Sequence, residues 1–76
     1  MEKETHLTSD FQVNFVPGEV TVIGCMGVLI YEDEVILLRL SKGGLRIEGS
    51  GLLLKSYYAG EMQITGRIRG MELCTR

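Results

Sequence analysis

The chain has 76 residues, a formal charge of −2 at pH 7 and a pI near 5.3, which leaves room for one small domain and supplies no net basic field to draw in nucleic acid or anionic membrane. None of its apolar runs approaches the roughly 20 residues that span a bilayer, and residues 1–10 lack the apolar centre of a secretory signal. A chain this short buries only about 60% of the surface its unfolded form exposes, so a closed barrel, a sheet packed on itself or a partner subunit is expected.

Residues 1–10 are polar and charged with a lone leucine, Leu7, after the initial Met1, and are expected to form a disordered or loosely docked tail ahead of a single β domain over residues 11–76. Phe11, Val13 and Phe15 alternate with Gln12 and Asn14, a strand pattern placed at a sheet edge because Pro17 and Gly18 end it. Val20–Ile23 is the next strand and Gly24 stops it. Cys25-Met26-Gly27 turns the chain into a strand over Val28–Tyr31, which the acidic turn Glu32-Asp33-Glu34 closes. Val35–Leu40 is the most apolar strand, with Ile36, Leu38 and Leu40 on one face and Val35, Leu37 and Arg39 on the other. It is expected to be central and covered on both sides.

Between Gly43 and Lys55 two alternating runs, Leu45-Arg46-Ile47-Glu48 and Leu52-Leu53-Leu54, flank Gly49-Ser50-Gly51, and this spacing predicts a hairpin. Ser56–Gly60 is expected to be a turn carrying Tyr57 and Tyr58. Met62–Gly66 and then Arg67–Leu73 complete the strands, and a change of phase across Gly70 predicts a β-bulge there. No window has an apolar stripe at helical spacing that outweighs these alternations. Three stretches share the form apolar, x, apolar, x, Gly, ending at Gly24, Gly49 and Gly66, but their spacing is unequal. The class is therefore all-β, a small antiparallel meander curling into a sandwich or partly closed barrel, with a solenoid-like β-roll as the alternative. The expected core is Ile36, Leu38, Leu45, Ile47, Leu52, Leu54, Ile64 and Ile68, and Gly49 and Gly66 are expected at backbone positions that disfavour a side chain.

The stretches Val20-Thr-Val-Ile-Gly24, Tyr31-Glu-Asp-Glu-Val-Ile36, Gly43-Gly-Leu-Arg-Ile-Glu-Gly-Ser-Gly-Leu52 and Met62-Gln-Ile-Thr-Gly-Arg-Ile-Arg69 resemble the YabP/YqfC family of sporulation proteins, closer to its YqfC branch. The family pattern of Ile-x-Gly before a glycine turn and a leucine falls on Ile47, Gly49 and Leu52. A second Ile-x-Gly-x-Ile falls on Ile64, Gly66 and Ile68. Pro17-Gly18-Glu19 departs from the family, which moves more directly from proline into the Val-Thr-Val-Ile-Gly strand. The resemblance implies a noncatalytic protein of endospore-forming bacteria, made in the cytoplasm of the mother cell and tied to spore coat or cortex formation. The motifs that carry it are structural, so it transfers no catalytic residue.

The residues themselves offer little chemistry. His6 stands in the tail with no ligand at metal-binding spacing, and Glu32-Asp33-Glu34 lacks the oxygen run and turn glycine of a calcium loop, so no metal is expected. The glycines match no phosphate-binding pattern and no cofactor is expected. Ser41, Ser50 and Ser56 have no histidine base near them in sequence, and Cys25 and Cys74 are expected to be free thiols. What remains is surface. Phe11 and Phe15 on the first strand, Tyr57 and Tyr58 in the aromatic turn, and Arg67 and Arg69 on the last strand are the candidate partner-binding residues.

Two functions follow. One is an assembly module that pairs a strand edge, Phe11–Phe15 or Arg67–Leu73, with itself or with another sporulation protein, a membrane-associated one included. The other is a small β-barrel that binds nucleic acid or an anionic ligand, with Arg67 and Arg69 aligned with Arg46 or Lys55 and tyrosines for stacking. The acidic pI weighs against nucleic acid as a partner.

Overall fold

The computed structural model describes residues 11–74, which form six strands: β1 (Gln12–Val16), β2 (Glu19–Ile23), β3 (Gly27–Tyr31), β4 (Val35–Leu40), β5 (Gly43–Tyr58) and β6 (Glu61–Cys74). They lie in the order β1-β2-β6-β5-β4-β3, antiparallel at every interface, against the solenoid-like alternative. Strands β3 to β6 run as a meander, and the β1–β2 hairpin joins on the far side of β6. The predicted tail lies outside the described residues.

The two long strands give the domain its shape. β5 has 16 residues and β6 has 14, and each serves two neighbourhoods. The first part of β5, Gly43–Glu48, pairs with β4, and the first part of β6, Glu61–Thr65, pairs with β2. The bend residue follows directly in each case, Gly49 after Glu48 and Gly66 after Thr65. The two bends lock against each other. A Cβ on Gly49 would run into the carbonyl oxygen of Arg67, and a Cβ on Gly66 would lie 2.6 Å from the carbonyl oxygen of Gly51. Gly66 also has a φ of 135°, in the region that favours glycine. Both glycines therefore occupy the restricted backbone positions expected of them.

Each bend is also tied to a hairpin turn. Gly49 donates its N–H to the carbonyl of Glu34, just before β4, and Gly66 donates to Gly18, just before β2. Hairpin, half-strand and bend glycine thus recur as β3–β4 with β5 and as β1–β2 with β6. The sequence likeness of Leu45-x-Ile47-x-Gly49 and Met62-x-Ile64-x-Gly66 marks these equivalent positions. The stretch ending at Gly24 is instead β2, a partner of the second.

Bending folds the sheet over one core. Val20, Val22, Ile36, Leu38, Ile47, Met62 and Ile64 are fully buried, and Cys25, Leu40, Leu45 and Leu52 nearly so. Cross-strand pairing aligns Val22 with Met62, Val20 with Ile64, Ile36 with Ile47 and Leu38 with Leu45, so alternation at period two delivers each to one face. Of the expected core, Leu54 and Ile68 pack only against its margin.

Three expectations are corrected. The Gly49-Ser50-Gly51 break does not reverse the chain. It bends a single strand, because β6 stays paired to β5 on both sides of the break, with register shifts that absorb the curvature. Tyr57 and Tyr58 consequently end β5, and the reversal comes at Ala59 and Gly60, with φ of 53° and 80°. Strand β4 lies between two neighbours but is covered on one face only: Ile36, Leu38 and Leu40 are buried, while Val35 and Leu37 are half-buried and Arg39 is exposed. The predicted bulge is present, one residue early: Glu48 pairs with Gly70 and Gly49 with Ile68, which leaves Arg69 as the extra residue.

Candidate interaction surface

The linear strand order leaves edges. Among the described residues, β1 and β3 are the ends of the sheet, and β6 beyond Gly66 has no strand on the side where β2 flanks its first half. Both segments proposed from sequence, Phe11–Phe15 and Arg67–Leu73, therefore coincide with unpaired edges. The outer side of the second half of β5 is protected differently. Leu52 donates its N–H to the carbonyl of Asp33 at 2.9 Å, Gly51 donates to Asp33 Oδ2 at 3.4 Å, and Leu54 donates to Tyr31 Oη at 3.0 Å.

The six candidate residues are dispersed over these edges. Phe11 is half-buried against the core margin, whereas Phe15 is half-exposed on the same strand. Phe15 lines a hollow of about 730 Å³ with Pro17, Gly18, Arg67 and Ile68, which brings candidates from β1 and β6 together. Arg69 turns back, donating from Nη2 to the Gly49 carbonyl at 3.4 Å. Tyr57 donates its hydroxyl to the Cys25 carbonyl at 3.4 Å, and Tyr58 is 82% exposed with its ring free.

Arg46 does not join a basic stripe with Arg67 and Arg69. Arg46 pairs across strands with Glu72 and forms an ion pair with Glu48 at 2.8 Å, while Arg67 stands opposite Ser50. With both partners about half exposed, the Arg46–Glu48 pair contributes at most about 1 kcal/mol, but it neutralises one of the two cations, Arg46 or Lys55, expected to align with Arg67 and Arg69. Among the described residues no polar or charged side chain is buried, and no three His, Cys, Asp or Glu residues cluster as metal ligands. His6 lies outside the described residues. Cys25 is a buried free thiol and Cys74 a half-buried one. No helix among the described residues is long and apolar enough to cross a membrane.

The edge that sequence reasoning passed over is β3. Val28, Leu29, Ile30 and Tyr31 are each 37% or more exposed, and Met26 just before them is 55% exposed. The signal was present: no charged residue occurs from Val20 to Tyr31. Beside this strand, Leu29, Leu37, Leu40, Arg39 and Lys42 are among the residues that line a second hollow of about 460 Å³.

The model of the YabP family matches residues 17–75, the stretch that runs from the β1–β2 turn through β6. No curated protein and no solved structure matches the chain.

Proposed function

The chain belongs to the YabP family, and on that premise we propose that it is a noncatalytic assembly module of the YqfC-like branch, acting in spore coat or cortex formation in the mother-cell cytoplasm. Membership in the family points to a role in sporulation. Ile47, Gly49 and Leu52 and then Ile64, Gly66 and Ile68 carry the pattern of the family as a whole, and the YqfC-like branch is the finer part of the proposal. The observation that carries the mechanistic reading is the set of unpaired strand edges bearing half-exposed apolar side chains, Phe15 on β1, Leu29 and Ile30 on β3, and Leu73 on β6. Unpaired N–H and C=O rows beside apolar side chains are templates for another strand. Such a surface acts by being covered, and its partner is a further copy or another sporulation protein.

The test is genetic. Cells carrying Phe15→Asp or Ile68→Pro in place of the native gene are expected to form fewer heat-resistant spores, while circular dichroism of the purified variants shows an intact fold. Normal spore yield from both folded variants and from a deletion strain would overturn the reading.

A further inference from the structure

Resting on the assembly reading, we propose that the free edge of β3 pairs antiparallel with β3 of a second copy about a two-fold axis, joining two six-stranded sheets into one. The three open edges differ in how they are guarded against such pairing. β1 has no charge, proline or bulge within the strand, but it alternates polar Gln12 and Asn14 with its apolar residues, and no charges of opposite sign flank its two ends as they do those of β3. The second half of β6 carries Arg67, Arg69 and Glu72 and a bulge at Arg69. Charges, proline and bulges are the devices that keep edges apart. β3, Gly-Val-Leu-Ile-Tyr, has no charge and no proline. Its one irregularity is the bulge between Val28 and Ile30, which sets Leu29 apart from the ladder with β4. Leu29 is 58% exposed, the most of any residue in the strand.

Charge at the two ends of β3 selects the partner and its direction. At the Tyr31 end the chain enters Glu32-Asp33-Glu34. At the Gly27 end stand Arg39, directly opposite Gly27 in the ladder, and Lys42 in the following turn. Gly27 has no side chain to separate Arg39 from the sheet edge. Antiparallel pairing of two copies sets the acidic end of each strand beside the basic end of the other, twice over by symmetry. Parallel pairing would set acid on acid and base on base. The strand is thus complementary to itself in one direction, and this identifies a second copy as the occupant. Leu29 and Ile30 then leave water together near the axis.

The interface is one short ladder, so the association should be followed by light scattering coupled to size exclusion over about 5 to 300 micromolar, a range suited to small interfaces. The wild-type chain is expected to approach twice the monomer mass at the upper end. Ile30→Lys, or Leu29→Lys if the first does not fold, should hold the monomer mass throughout with an unchanged circular dichroism spectrum. Arg39→Glu should weaken association about tenfold, and adding Glu32→Lys should restore it, because the facing pair of residues 39 and 32 then exchanges its charges and remains opposite in sign. A wild-type monomer at every concentration overturns the proposal. So does a dimer that survives both lysine variants, one lost only on Phe15→Asp, or a double charge reversal weaker than the single. Spore yield in the β1 and β6 variants tests the assembly reading separately: a monomeric chain whose edge variants fail to sporulate refutes the β3 pairing alone.

Discussion

The β3–β4 hairpin and the β1–β2 hairpin occupy equivalent places in the fold, yet one junction is sealed and the other stands open. Tyr31 pairs with Ile36, the second residue of β4, and Phe15 pairs with Val20, the second residue of β2. An aromatic ring therefore stands at the same register in both. Tyr31 carries a hydroxyl that accepts from Leu54 N–H across the junction at 3.0 Å, and the turn beyond it supplies the carbonyl and carboxylate of Asp33 to Leu52 and Gly51. Phe15 has no hydroxyl, the turn beyond it is Pro17-Gly18, and its side of the molecule is the 730 Å³ hollow. The difference teaches that the bend glycines set the architecture, while the Tyr31 hydroxyl and the Asp33 oxygens, in a loop of the same length, decide whether an edge is closed or left for a partner.

The largest expected effect tests the part that the two halves share. Gly49→Val and Gly66→Val each drive a side chain into the backbone of the other long strand, which cannot move without breaking the ladder, so each should cost more than about 4 kcal/mol and leave little folded protein. Urea melts followed by circular dichroism check this, and a folded Gly49→Val with near-native stability would break the equivalence of the bends. Next come the residues two positions before each bend. Ile47 and Ile64 are both fully buried, and replacing either with alanine should cost about 2 to 5 kcal/mol. The two losses should agree to within about 1 kcal/mol if the halves are equivalent in packing as well as in path.

A pair of reciprocal exchanges at the aromatic positions sharpens the contrast. Tyr31→Phe removes the acceptor for Leu54 N–H and should cost about 1 kcal/mol, with faster amide exchange at Leu54 measurable by NMR. Phe15→Tyr adds a hydroxyl where the equivalent edge has no acceptor, and should be neutral or stabilising by up to about 1 kcal/mol. A Phe15→Tyr loss as large as that of Tyr31→Phe would show that the open junction is not a vacant version of the sealed one. The smallest effect is expected at Gly70. No atom lies within 4 Å of a Cβ there, so Gly70→Ala should change stability by less than about 0.5 kcal/mol, the usual range for surface positions, and it serves as the control for Gly49 and Gly66.

Much of this was legible in the residues. Period-two alternation placed β1 to β4 to within a residue, Val35–Leu40 without error, divided β5 and β6 into shorter runs, and sorted Ile36, Leu38, Leu45, Ile47, Leu52 and Ile64 into the core. Glycine at matching points of two alternating runs marked Gly49 and Gly66, and the order of those motifs carried the family. Alternation records which face of a strand a side chain occupies, and a glycine records that the backbone needs freedom. Neither records which strand lies alongside. That β5 bends at Gly49 instead of reversing, that β6 leaves β2 at Gly66, that Val20, Val22 and Met62 complete the core and that β3 ends the sheet were decided by tertiary structure. Lateral neighbours are chosen by contacts between residues far apart in the chain, Glu19 with Thr65 and Gly44 with Cys74, and a local pattern holds no trace of them.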